Sequence, residues 1–151
     1  RRWWKPSGRS AARVWRWKTK PSCWWDYLGL HGAKRSLRPD LGVRLSVGGQ
    51  QLVWFVEVDR GTEGLRRIRA KGRQYLEYWR TGQEQQQLGG VFPKVLWSVP
   101  DRRRKELLLR TLAELPPPGS EMFEVRTAKG SASLLLGDEM EANEGTEGDE
   151  A

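Results

Sequence analysis

The stretch from Asp40 to Asp59, DLGVRLSVGGQQLVWFVEVD, constrains the fold more than any other part of the chain. Leu41, Val43, Leu45 and Val47 alternate with Gly42, Arg44 and Ser46, the period of two that lines up apolar side chains on one face of a half-buried strand. Gly48-Gly49 follows, and glycines readily take the positive φ that tight hairpin turns require. Beyond the turn the alternation stops. Val53-Trp54-Phe55-Val56 is apolar at every position, which predicts a second strand, Leu52 to Asp59, covered on both faces in the middle of a sheet.

Downstream the period lengthens. Arg60-Gly61 supplies a turn, Thr62 is placed to cap a helix, and Glu63 suits the positive end of its dipole. Leu65, Ile68, Gly72, Tyr75, Leu76 and Trp79 recur at three- and four-residue spacing, which predicts a helix to about Arg80, ended by Gly82. Its other face is rich in arginine. Residues 83–90 read as a polar loop, and Val95 to Val99 as a short buried strand closed by Pro100. Asp101 caps a further helix with Leu107, Leu108, Leu112 and Leu115 inward, and Pro116-Pro117-Pro118 stops it. Met122 to Arg126 is placed as an added edge strand. This order predicts an α/β fold, a small mixed β-sheet flanked by helices. The sequence holds no internal repeat and no P-loop spacing.

Charge divides the 151 residues into three: residues 1–38 carry a net +10, residues 39–137 carry +5 and residues 138–151 carry −7. The expected organisation is a basic Trp/Arg-rich arm at 1–37 with no assigned structure, an α/β domain at 38–126, and an acidic, disordered tail at 127–151. The arm holds six of the nine tryptophans, and neither a helical nor a strand period persists in it. One reading is a nucleic-acid arm, with guanidinium groups on phosphates and indoles stacked on bases. An unstructured leader, tryptophans covering the body, and a stretch translated out of frame are the other readings. The charge itself argues for a polyanion partner and not for a fold.

Cys23 is the only cysteine and His31 the only histidine. That excludes an internal disulfide and a cysteine-based zinc site within one chain, and it argues against a Ser-His-Asp triad or a His-rich zinc centre. Carboxylate chemistry remains. A reducing, cytoplasmic setting fits the cysteine count. No apolar run approaches the ~20 residues of a membrane helix and no secretory leader is recognisable, so no membrane partner is expected. The chain opens on Arg1 and not on Met, which suggests a piece of a longer reading frame.

Three carboxylates are positioned for chemistry. Asp40 begins the first strand, and Glu57 and Asp59 lie near the end of the second, so an antiparallel hairpin brings them to one sheet edge. Glu57 and Asp59 are two apart and share a face. Crowded carboxylates repel unless a cation neutralises them, and hard oxygen ligands suit Mg²⁺ or Mn²⁺, which could activate water and stabilise phosphoryl charge. The plainer alternative has Asp40 initiating a strand after Pro39, with Glu57 and Asp59 solvated at a strand end.

Leu37-Arg38-Pro39-Asp40, Trp54 through Glu63, Lys71 with Tyr75, and Phe92 through Asp101 together resemble the replication-relaxation family of bacterial plasmids and integrated mobile elements, over about half of the chain. The resemblance implies a role in plasmid replication or DNA relaxation. A winged-helix region usually precedes this block in the family, and none is recognisable here. The same blocks resemble the restriction-endonuclease-like PD-(D/E)xK superfamily, with Pro39-Asp40 at the first acid and Glu57 at the second. That pattern wants a lysine two residues after the second acid, where this chain has Asp59. Lys71 on the following helix is the candidate replacement, at a height a lysine side chain can span; a solvated helix residue is the alternative.

Arg102, Arg103, Arg104 and Lys105 fill the first turn of a helix, where cations oppose the macrodipole unless an anion sits there. With Arg66, Arg67, Arg69 and Arg73 they could hold a DNA backbone, or they are a solvated face. The leading expectation is a DNA-binding accessory protein of plasmid or mobile-element replication on a restriction-endonuclease-like fold. An Mg²⁺-dependent endonuclease is the second, with Asp40, Glu57 and Asp59 as metal ligands and Lys71 orienting or activating water. A non-catalytic module docking on a relaxase or replication protein is the third.

Overall fold

The computed structural model describes residues 13–20, 22–47, 50–87 and 93–136. In chain order the elements are β1 (Arg13–Thr19), β2 (Trp25–Leu28), a 3-10 turn (Leu30–Gly32), β3 (Lys34–Leu37), β4 (Leu41–Val47), β5 (Gln50–Val58), α1 (Leu65–Arg80), α2 (Gln83–Gln87), β6 (Lys94–Val99), α3 (Arg102–Ala113), α4 (Gly119–Met122), β7 (Phe123–Thr127) and α5 (Ala128–Leu136). Five strands make a mixed sheet in the order β1-β4-β5-β6-β7. β4 runs antiparallel to both β1 and β5, whereas β5, β6 and β7 run parallel. Parallel neighbours need a crossover, and α1 and α3 lie in the two connections.

The unbroken apolar run of β5 is explained by its place as the third of five strands. Val53 and Phe55 join Ile68, Tyr75, Leu76, Val95, Trp97, Leu108 and Leu112 in one core, against α1 and α3. Trp54 and Val56 face the other way and pack with Val43, Leu96 and Leu135. Phe55, Ile68, Val95 and Leu96 are 0% exposed, and burying each such side chain contributes about 1.5–3 kcal/mol. α1 and α3 approach closely at Gly72, where an added Cβ would collide with Leu115 Cδ1, just past the end of α3, and stand 3.2 Å from Leu112 Cδ2.

Several local expectations are met. Asp101 caps α3 by accepting the Arg104 amide at 2.8 Å, Gly82 has φ +70 just beyond α1, and β7 occupies a sheet edge. The Gly48-Gly49 turn and the acidic stretch 138–151 lie outside the described residues. Other features differ from the sequence reading. Residues 83–87 form α2, where a loop was expected, because the Glu84 carboxylate takes the buried Tyr78 hydroxyl at 2.6 Å. α1 starts at Leu65 with Gly64 as its cap, and Thr62 does not cap it. Asp59 instead holds the Gly61 amide at 3.2 Å, so 59–63 is an ordered turn ahead of the helix. Residues 13–37, left without structure by the sequence pattern, contribute β1 to the sheet and the antiparallel β2–β3 hairpin. Tyr27 and Leu37 of that hairpin enter the α1-side core, and Trp25 packs 4.9 Å from Phe55. Residues 128–136, at the start of the expected tail, form α5, whose Leu135 closes the second core.

Candidate functional site at the head of the central strands

The hairpin register sets the site. Leu41 lies opposite Val56, and the Asp40 amide donates to the Val56 carbonyl at 3.0 Å, so Asp40 falls beside Glu57. Asp40 Oδ2 accepts the Val58 amide at 2.8 Å, and Oδ1 is ion-paired with Lys20 from the turn after β1. Burial pushes this carboxyl's pKa up, but Lys20 and the Val58 amide outweigh it and hold the group below the usual aspartate range.

Glu57 is 3% exposed and its two oxygens are divided between two donors on α1. Lys71 Nζ donates to Oε2 at 3.1 Å and the Tyr75 hydroxyl to Oε1 at 2.6 Å. Desolvation still prevails: the Glu57 pKa is raised, with Lys71 and Tyr75 opposing the shift and Asp40 adding to it. Burial pulls Lys71 down, but Glu57, Glu63 and Asp40 together lift it above its ordinary value. Asp40, Glu57 and Lys71 therefore act on one another electrostatically. Lys71 and Tyr75 are four apart on one helix face, which is why both reach the same carboxylate.

Asp59 is separate from this group. Arg104 Nε donates to Oδ2 at 2.6 Å and an Arg104 terminal nitrogen to Oδ1 at 3.1 Å, a forked pair. The same nitrogen donates to the Glu63 carbonyl at 2.7 Å. The Asp59 hydrogen bond raises the already high pKa of Arg104, with burial opposing it. The anion that a cationic first turn calls for is, at Arg104, Asp59 of the same chain. Among the described residues no three His, Cys, Asp or Glu side chains form a metal-holding group.

The other basic residues divide by environment. Arg69 bridges from α1 to Glu114 at 3.0 Å, Arg67 lies 3.6 Å from Glu63, and Arg102 lies 3.4 Å from Glu106. Arg66, Arg67, Arg73, Arg102 and Arg103 are exposed on α1 and α3, and Lys105 is half-buried. Sequence reasoning missed Lys20, which no spacing connects to Asp40, and it placed Tyr75 on the apolar helix face and in the family's pattern without its bond to Glu57. The i,i+4 relation of Tyr75 to Lys71 was a usable signal.

No described helix is long and apolar enough to cross a membrane. No curated protein and no solved structure matches the chain significantly. The sequence model of the family described as replication-relaxation matches residues 8–95, more than half of the 151. That span takes in β1 through β5, α1 and the paired side chains Asp40, Glu57 and Lys71, and the chain belongs to the replication-relaxation family.

Proposed function

We propose that this protein binds DNA in the replication of a plasmid or mobile element, on a restriction-endonuclease-like core whose acidic site works without cleaving. The family supports the replication setting. The observation that carries the rest is that each acid already holds an ammonium group, Lys20 on Asp40 and Lys71 on Glu57. Two carboxylates neutralised from within the chain do not create the negative hole that draws in a divalent cation. Exposed Arg66, Arg67, Arg73 and Arg103 on the neighbouring helices α1 and α3 offer charge for phosphates. The test is incubation of supercoiled plasmid with the protein in Mg²⁺ and in EDTA, read beside a binding assay. Binding with unchanged supercoiling in both supports the reading, and Mg²⁺-dependent nicking overturns it.

A second reading, an Mg²⁺-dependent endonuclease, is favoured by Lys71, which reaches Glu57 from the helix as a substitute for a lysine on the strand. Asp40 and Glu57 fit a hard cation in donor type, since Mg²⁺ commonly takes one or two carboxylates and completes its shell with water and phosphate oxygens. Lys20 and Lys71 would first have to leave those oxygens. Bound there, the ion would supply an activated water and charge for the phosphoryl group. Nicking that is abolished in Asp40→Ala would establish this reading.

A further inference from the structure

We propose that the cleft beside the β2–β3 hairpin is a single-strand seat, which takes one polynucleotide strand with its phosphates on Lys34 and Arg38 and a base on Trp24. The inference deepens the DNA-binding reading and rests on it. The cleft has a volume of about 690 Å³ and is lined by Tyr27, Lys34, Arg35, Arg38 and Gln83, with Asp26 as its one acid. Arg35 is committed to Glu77 at 3.2 Å, and Glu77 also accepts the Tyr27 hydroxyl at 3.1 Å, so these side chains form a fixed wall. Lys34 and Arg38 are exposed at the rim.

Trp24, outside the lining of the cleft but beside its Arg38, supplies a platform. It is 39% exposed, and the Arg38 guanidinium stands 4.8 Å from its ring centroid, which holds the indole from one side. An exposed ring beside a cation suits a strand whose bases are free to stack, and in a duplex those base faces are covered. α1 links the hairpin to the acidic site. Along α1, Lys71 holds Glu57, Gln74 donates to the Ser36 carbonyl at 2.8 Å and Glu77 holds Arg35. Arg38 is two residues from Asp40. A strand leaving the cleft at Arg38 would lie near the head of β4.

The test is fluorescence polarisation with a short labelled oligothymidylate and with a mixed-sequence duplex of the same length, on wild type, Trp24→Ala and Lys34→Glu, each checked for an unchanged unfolding midpoint. Lys34 is an exposed position, so its variant stays informative if Trp24→Ala folds poorly. Loss of one stacked base weakens binding about fivefold or more, and the expected result is such a loss for the oligothymidylate with less than about twofold change for the duplex. Unchanged oligothymidylate binding in both variants, with wild type still binding duplex, overturns the single-strand seat and leaves the DNA-binding reading intact. Wild type that binds neither probe overturns both.

Discussion

Arg104, in the first turn of α3, forks onto Asp59 at the end of β5 and fastens the helix to the central strand. The side chains are 11% and 1% exposed, so this is a nearly dry ion pair. Removing one partner of such a pair strands the other charge, and Arg104→Met is expected to cost about 3–5 kcal/mol in urea unfolding. Arg103→Ala, next to it and exposed, is expected to stay within about 0.5 kcal/mol of wild type. Equal effects at the two positions would contradict a structural role for Arg104.

Tyr75 is 1% exposed and donates to a carboxylate that is itself buried. Tyr75→Phe keeps the ring packing and deletes the donor. Hydrogen bonds to charged groups are worth about 1.5–3 kcal/mol, and a loss in that range is expected. The same change raises the Glu57 pKa further, because one of the two groups opposing its desolvation is gone. Carboxyl NMR titration of wild type and variant measures this directly, and an unmoved Glu57 would refute the coupling.

Asp40 gives a pH signature. Its folded pKa lies below the ordinary 3.8, so it contributes stability that is present above that value and lost as pH falls through the folded one. Wild type should therefore outlast Asp40→Asn near neutral pH, and the gap should close in acid. Glu57 is shifted upward and has the opposite slope, which is why the comparison needs the variant and not wild type alone. A gap that widens on acidification would contradict the assignment.

At Gly72, even a Cβ would meet Leu115 and Leu112. Gly72→Leu fills space already taken and is expected to destabilise by about 1–3 kcal/mol, despite the better helix propensity of leucine. Thermal unfolding measures it, and a raised midpoint would show that the two helices are not held this closely.

The body of the fold was legible because its strands declare themselves by period. Residues 53–56, apolar throughout and set between a Gly-Gly turn and polar residues, fit a covered strand, and the Asp40–Glu57 juxtaposition followed from hairpin geometry. The β2–β3 hairpin was illegible for a physical reason. Asp26, Leu28 and Lys34 are exposed on a two-stranded ribbon. An element with so much solvated surface keeps little hydrophobic period. β1 is too short a stretch of alternation, Trp15 and Trp17 against Arg16 and Lys18, to stand out in an arm rich in both residue types. At the site, two-residue spacing put Glu57 and Asp59 on one strand face, while β5 ends at Val58 and Asp59 stands in the turn after it. That spacing could not reveal that Arg104, 45 residues downstream, holds Asp59. Ion pairs between distant positions depend on tertiary placement, which local spacing does not encode. The same holds for Lys20 and Asp40.

In the proposed function, the exposed arginines of α1 and α3 hold DNA through its phosphates. The most direct measurement is the affinity for a duplex across a range of salt, for wild type and for a variant with Arg66, Arg67, Arg73 and Arg103 changed to Ala. Each phosphate contact contributes about −0.9 to the slope of log K against log salt, so the variant's slope is expected to shrink by about 3 to 4. Wild-type binding that ignores salt, or a slope the four substitutions leave unchanged, would contradict the account.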